Sequence, residues 1–286
     1  MTMKRSRVNR IKSPRWAYLL IGAVAFALAL AIISRECQAK AFRVAIDIGH
    51  TPESPGAISA RGVPEYLFNK NIVTFLYKKL KQDQRFRGSF IINETGENIS
   101  LADRAAIAQR RGADLLLSIH HDSVDPGDLS HWVYEGEIRP YCDKFAGHSV
   151  FYSEKNDRPL ESLMFAMVLG TEMLRAGFCP TLHHVKTFKT EDKALIDKTR
   201  GIYKYNQLIV LKSATMPAVL FECGIIKSRI EEMQLLNPKY QARLADTLYK
   251  ALKQYLEVKQ THPNPQTYIN QNRDLREIPA QRLLKE

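Results

Sequence analysis

The chain has 286 residues, with 42 Lys and Arg against 30 Asp and Glu, and 45% of its residues are hydrophobic. That much apolar side chain excludes a disordered, collagen-like or low-complexity protein, and four cysteines in so long a chain exclude a disulfide-stapled mini-domain. Of the net charge of +12, +7 lies in residues 1–40 (eight Lys or Arg, one acid), which leaves +5 for the other 246 residues; no nucleic-acid partner is expected.

Lys4, Arg5, Arg7, Arg10, Lys12 and Arg15 precede an uncharged run over residues 16–34. As a helix, those 19 residues reach about 28 Å, close to the hydrocarbon thickness of a bilayer. The basic flank stays in the cytoplasm, which places the rest of the chain on the periplasmic or cell-wall side. Two outcomes stay open: an uncleaved signal anchor, or a signal peptide cut near Ala39-Lys40-Ala41, which has the small-x-small form. Residues 1–41 are therefore set apart as a basic flank plus membrane or export segment.

Residues 43–48 read as a buried strand ending in Gly49-His50. After a loop with Pro52, Pro55, Gly56, Gly62 and Pro64, the spacing of Phe68, Ile72, Phe75, Leu76 and Leu80 predicts a helix over 65–82. A second strand is expected at 89–92, then a helix over 101–111 capped by Ser100, with Asp103 three residues on. The apolar run 114–119 predicts a third strand that leads into His120-His121-Asp122. Residues 124–147 mix Gly, Pro and both charges with little periodicity and read as a long loop, a length that often signals function. Further on, 148–153 alternates like a strand, 158–176 is helical with Gly177 as its stop, and 207–211 and 218–222 are apolar runs. Asn237-Pro238 opens a last helix whose buried stripe is Tyr240, Leu244, Leu248, Leu252 and Tyr255; residues 258–286 read as a flexible polar tail. Strands alternating with helices predict an α/β fold, a mostly parallel twisted sheet with helices on both faces, forming a single domain over 42–257.

Chemistry collects at the strand ends. Three predicted strands finish in His50, His120 and Glu222, and Glu65 opens the helix after the first. Parallel strands put their carboxyl ends on one rim, where ligands of open α/β sheets bind. Two imidazoles and a carboxylate make a three-ligand set for a hydrolytic zinc ion, and a carboxylate outside that set can move protons. Taken singly, His50 reads as a turn residue, Glu65 as a helix-dipole acid and Glu222 as a capping acid. Two adjacent imidazoles at the end of an apolar strand are harder to explain by packing.

Three segments, VAIDIGHTPESPGAISARGVPE, LLLSIHHDS and MPAVLFECGIIKS, resemble the zinc-dependent N-acetylmuramoyl-L-alanine amidases of the amidase_3 type, which cleave peptidoglycan. The resemblance runs over about residues 42–256, in the family's order. It implies one Zn2+ per chain held by His50, Glu65 and His120, with Glu222 as the catalytic carboxylate and peptidoglycan (muramyl peptide) as substrate. Arg104 falls where the family has an arginine, and is a supporting candidate. His121 stands where a small residue is usual, which leaves a register choice between His120 and His121; Leu116, Ser118 and His120 share one strand face, which favours His120. Ile225 replaces a usual Phe. The 124–147 insertion is longer than the family's link, and its Asp125, Asp128, Glu135 and Glu137 suit a lid or a docking site for a regulatory protein. A zinc peptidase acting on another peptide, and an inactive membrane-tethered wall-binding protein, are the alternatives.

The remaining residues are less informative. Cys142 and Cys179 are open to a bridge. Cys223 should point away from Glu222, and Met164, Met167 and Met173 read as core filler. His183-His184 reads either as an accessory metal pair or, more ordinarily, as part of a solvated loop.

Overall fold

In the computed structural model, the described residues are 41–187 and 189–273. The membrane or signal segment expected at 16–34 lies outside them, and among the described residues no helix is long and apolar enough to cross a membrane.

The chain runs β1 (Val44–Ile48), α1 (Glu65–Gln82), β2 (Phe90–Ile91), α2 (Leu101–Arg110), β3 (Leu115–Asp122), β4 (Ser130–Tyr134), β5 (Glu137–Tyr141), β6 (Ser149–Tyr152) and α3 (Pro159–Arg175). It continues through β7 (Lys189–Thr190), β8 (Lys193–Asp197), β9 (Ile202–Tyr205), α4 (Ile209–Lys212), β10 (Ala218–Ile225), α5 (Arg229–Leu236), α6 (Pro238–Thr261) and α7 (Pro265–Asn272). Eight strands form one sheet in the order β2-β1-β3-β10-β6-β9-β8-β7. The half that matters for the site, β2-β1-β3-β10, is wholly parallel. Beyond β10 the pairing turns antiparallel to β6, and again between β9, β8 and β7.

Strand alternation sorts the core into two layers. Val44, Ile46, Ile48, Leu115, Leu117, Ile119, Val219 and Phe221 pack with the apolar stripes of α1, α3 and α6. Ala45, Leu116, Ala218 and Leu220 face the other way, onto Ala105 and Ala108 of α2 and Val210 and Leu211 of α4. Since successive residues in a strand take opposite faces, His120 and Glu222 follow Leu116 and Leu220 onto the second layer's side, while His121 and Cys223 turn to the first.

Two expectations are corrected. The 124–147 stretch is not a structureless loop: β4 and β5 make an antiparallel hairpin whose two-residue turn, Glu135-Gly136, has both φ angles positive, at 52° and 82°. That is the twist a tight hairpin needs. The polar tail does not begin at 258, because α6 runs on to Thr261 and α7 follows, capped by Asn264 and anchored by buried Ile269. The apolar run 207–211 contributes to the short helix α4. Cys142, Cys179 and Cys223 are free thiols, so the bridge between Cys142 and Cys179 is not formed.

Candidate active site

The parallel register brings the predicted residues to one rim. Ile48 pairs with Ile119, and Glu222 pairs directly with His120. Just past β1, His50 takes a left-handed backbone with φ 68°, sparsely populated for a non-glycine residue and of the kind that clusters at functional sites. Glu65 is the first residue of α1 and is buried. Its Oε2 lies 3.0 Å from His50 Nε2 and its Oε1 lies 3.0 Å from His120 Nδ1. One donor atom from each of the three falls within 4.8 Å of the other two, so the group could hold a metal ion.

The surroundings are shaped around these groups. A Cβ on Gly49 would come within 2.5 Å of the His120 ring, and one on Gly56 within 2.5 Å of Glu65 Oε2 and 2.6 Å of His50 Cδ2. The loop between His50 and Glu65 is pinned at several points. Ala57 N donates to Glu65 Oε2 at 3.1 Å, Arg61 pairs with buried Glu232 at 2.7 Å, and Trp132 of the hairpin donates to Ala60 O at 3.1 Å.

Arg104 and His121 take supporting positions rather than joining the cluster. The buried guanidinium of Arg104 donates to Asp47 Oδ1 and Ile48 O, both at 2.7 Å, and to His50 O at 3.2 Å, which clamps the end of β1. Ser118 Oγ donates to the other Asp47 oxygen at 2.6 Å. His121 points to the opposite face, where its Nδ1 donates to Asn69 Oδ1 at 2.7 Å. Burial pushes its pKa down to about 3 despite the nearby Glu65 charge. Of the two adjacent histidines, His120 is the one whose ring lies beside Glu65 and His50.

Sequence reasoning missed four positioning residues: Asp47, Asn69, Asn93 and Ser118. Asn69 Nδ2 bridges Gly49 O at 3.0 Å and Glu65 Oε1 at 3.2 Å, and Asn93 Nδ2 holds Ile48 O at 2.8 Å and His50 O at 3.3 Å. A signal existed for two of them. Asn69 interrupts an apolar helical stripe one turn after Glu65, and Asp47 puts a charge inside an apolar strand.

The two carboxyl groups titrate in opposite directions. Burial alone would raise the Glu65 pKa, but hydrogen bonds and charge from His120 and His50 outweigh it and hold the carboxylate far below its ordinary range. Burial lifts the Glu222 pKa well above the usual value, helped by the charges of Asp122 and Glu65. Glu222 Oε2 is sealed from solvent with no hydrogen-bond partner among the described residues. An unpartnered carboxyl oxygen with a raised pKa beside a ligand-type cluster is the kind of perturbed group that marks functional sites. A cleft lined by Asp47, His50, Ser54, Leu101, Arg104 and His120 opens beside the two histidines.

Of the histidine pair, His183 is buried and does not belong to a solvated loop, and both rings approach Asp122.

An open α/β sheet with His, Glu and His gathered at its strand ends is the frame of a metal-ready hydrolase. A family profile described as Amidase_3, N-acetylmuramoyl-L-alanine amidase, matches residues 44–254, and the chain belongs to that family. The probable N-acetylmuramoyl-L-alanine amidase AmiB of Haemophilus influenzae is 28% identical over 254 residues, covering 80% of this chain and 55% of that relative. The chain thus spans about half the length of AmiB. An N-acetylmuramoyl-L-alanine amidase from Clostridium difficile 630 superposes with a TM-score of 0.59 at 26% identity, covering 77% of this chain and 100% of that one. The catalytic domain of CwlV from Bacillus (Paenibacillus) polymyxa shares the fold, with a TM-score of 0.57 at 24% identity, over 76% of this chain and 99% of its own.

Proposed function

We propose that this chain hydrolyses the amide bond between N-acetylmuramic acid and the L-alanine of the peptidoglycan stem peptide, using one zinc ion held by His50, Glu65 and His120. The observation that carries the reading is the convergence of these three side chains next to half-buried Glu222, whose Oε2 is sealed from solvent and unpartnered among the described residues, in a chain of the amidase family. Bound there, zinc would supply a Lewis acid for the scissile carbonyl and lower the pKa of water toward about 7.

The chain's own groups do the rest. Glu222 accepts a proton from the attacking water as its oxygen bonds to the carbonyl carbon. It passes that proton to the alanine nitrogen as the C–N bond breaks and its electron pair leaves with nitrogen. Beside a divalent cation the carboxyl ionises more readily than burial alone would allow. Glu65 stays ionised, and Asn69, Asn93 and Arg104 fix the backbone that carries His50. The nucleophile is water, so no acyl-enzyme forms.

The domain extends from residue 42 through α6, with α7 packed behind it, preceded by the segment at 16–34 as signal anchor or signal peptide, and the enzyme acts outside the cytoplasmic membrane. The β4–β5 hairpin serves as a lid or as the docking point of a regulatory protein: its cross-strand pair Val133 and Ile138 is 69% and 73% exposed. Digestion of purified sacculi by the zinc-loaded full chain tests the reaction. Free stem peptides beginning with alanine are expected; glycan fragments still carrying the stem, or cuts between amino acids, would overturn it.

A further inference from the structure

Asp122, His183 and His184 form a second convergence of ligand-type side chains, and their donor atoms all lie within 4.8 Å of one another. His184 Nε2 stands 2.7 Å from Asp122 Oδ2, and His183 Nε2 stands 3.4 Å from the same oxygen. Adjacent residues ordinarily diverge. Here they open a 3₁₀ turn (His183–Lys186) that lays the rings 3.8 Å apart, centroid to centroid, and turns both Nε2 atoms onto one carboxylate.

The His183 ring is fixed from behind. Its Nδ1 lies 3.0 Å from Thr181 Oγ1, the kind of outer contact that sets the tautomer of a ligand histidine. When Nδ1–H donates to Thr181, Nε2 carries the lone pair. It then faces a carboxylate oxygen across 3.4 Å, two acceptors turned toward each other. The His183 side chain is only 6% exposed, and its Nε2 is sealed from solvent with no hydrogen-bond partner among the described residues. Burial opposes a positive charge on this ring, while the charges of Asp122 and Asp125 favour one beside it. A cation resolves this arrangement. Ligands about 2.0–2.1 Å from a tetrahedral zinc ion sit about 3.3 Å apart, and the observed 2.7 Å and 3.4 Å bracket that spacing.

We infer that Asp122, His183 and His184 form a second divalent-cation site at the end of β3, two residues beyond His120. Two imidazoles and one carboxylate select zinc-like borderline ions over magnesium or calcium, and three protein ligands leave a position open. The site is independent of the reading of the first cluster, and the test separates them.

The full chain, stripped with chelator and dialysed against Zn2+, should retain two ions by mass spectrometry of the metal. His50→Ala should retain one, His184→Ala one, and the double variant none. A single ion in the wild-type chain that His50→Ala removes and His184→Ala leaves in place would overturn the second site. A His50→Ala chain that keeps both ions would instead overturn the first. Cobalt(II) titration of the stripped wild-type chain needs no variant: a second saturating phase in the visible spectrum is expected, and saturation after one equivalent would sink the inference.

Discussion

Glu222 and His120 are direct register partners across β10 and β3, so both side chains leave the sheet on the same face. The proposed acid–base group is thereby tied to a proposed ligand by backbone pairing rather than by a flexible loop. Glu222→Gln should lower the rate of amide hydrolysis by about 10²–10⁴-fold while the zinc content stays that of the wild type. Turnover of sacculi and metal content measured on the same preparation check this, and full activity would remove Glu222 from the mechanism.

Asn69 links the His50 end of β1 to Glu65 through one amide group. Asn69→Leu should weaken zinc binding at the first cluster by about 10–100-fold, the usual cost of losing an outer contact to a metal ligand. Competition with a chelating dye reads the change directly.

Arg104 and Asp47 are a buried ion pair, with side chains 4% and 1% exposed. Arg104→Met strands the carboxylate and should destabilise the fold by about 3–5 kcal/mol in urea titration. Arg104→Lys should restore only part of that, since one ammonium cannot reach Asp47 and two separate carbonyls with the same fork.

Gly56 has φ 76°, and a Cβ there would meet Glu65 and His50. Gly56→Ala should cost about 1–3 kcal/mol of backbone strain and displace the two ligands, so zinc is lost before the fold is. Calorimetry with and without Zn2+ distinguishes this from simple unfolding: the stabilisation by zinc should shrink more than the metal-free melting point falls.

His148 is buried, neither ring nitrogen has a close hydrogen-bond partner among the described residues, and burial, only partly offset by the nearby backbone of Arg200 and Cys179, pushes its pKa down from 6.5 to about 4. The unfolded chain therefore binds the extra proton first, and stability is lost as pH falls from about 6.5 toward about 4. The full effect is about 3 kcal/mol at 1.36 kcal/mol per pKa unit. Denaturation midpoints of wild type and His148→Phe, compared at pH 7 and pH 4, should show the steeper acid loss in the wild type.

Much of this was legible because strand parity and register are simple. Leu116, Ser118 and His120 share a face whatever surrounds them, and parallel strands must end on one rim. The hairpin was not legible, since Glu135-Gly136 does the work usually given to Asn-Gly. Helix α7 rests on a single buried side chain, Ile269, too little for a periodic signal. The approach of His184 to Asp122 spans 62 residues of chain, and no local pattern reports a contact of that range.

β10 is the last strand to be made, yet it lies in the middle of the sheet, between β3 and β6. A growing polypeptide can carry His50, Glu65 and His120 long before it carries Glu222, and the central gap closes only through long-range pairings that form slowly. The proposed amidase activity, which needs Glu222 on β10, would therefore be missing from any unfinished or clipped copy, so the order of synthesis itself would act as a safety catch.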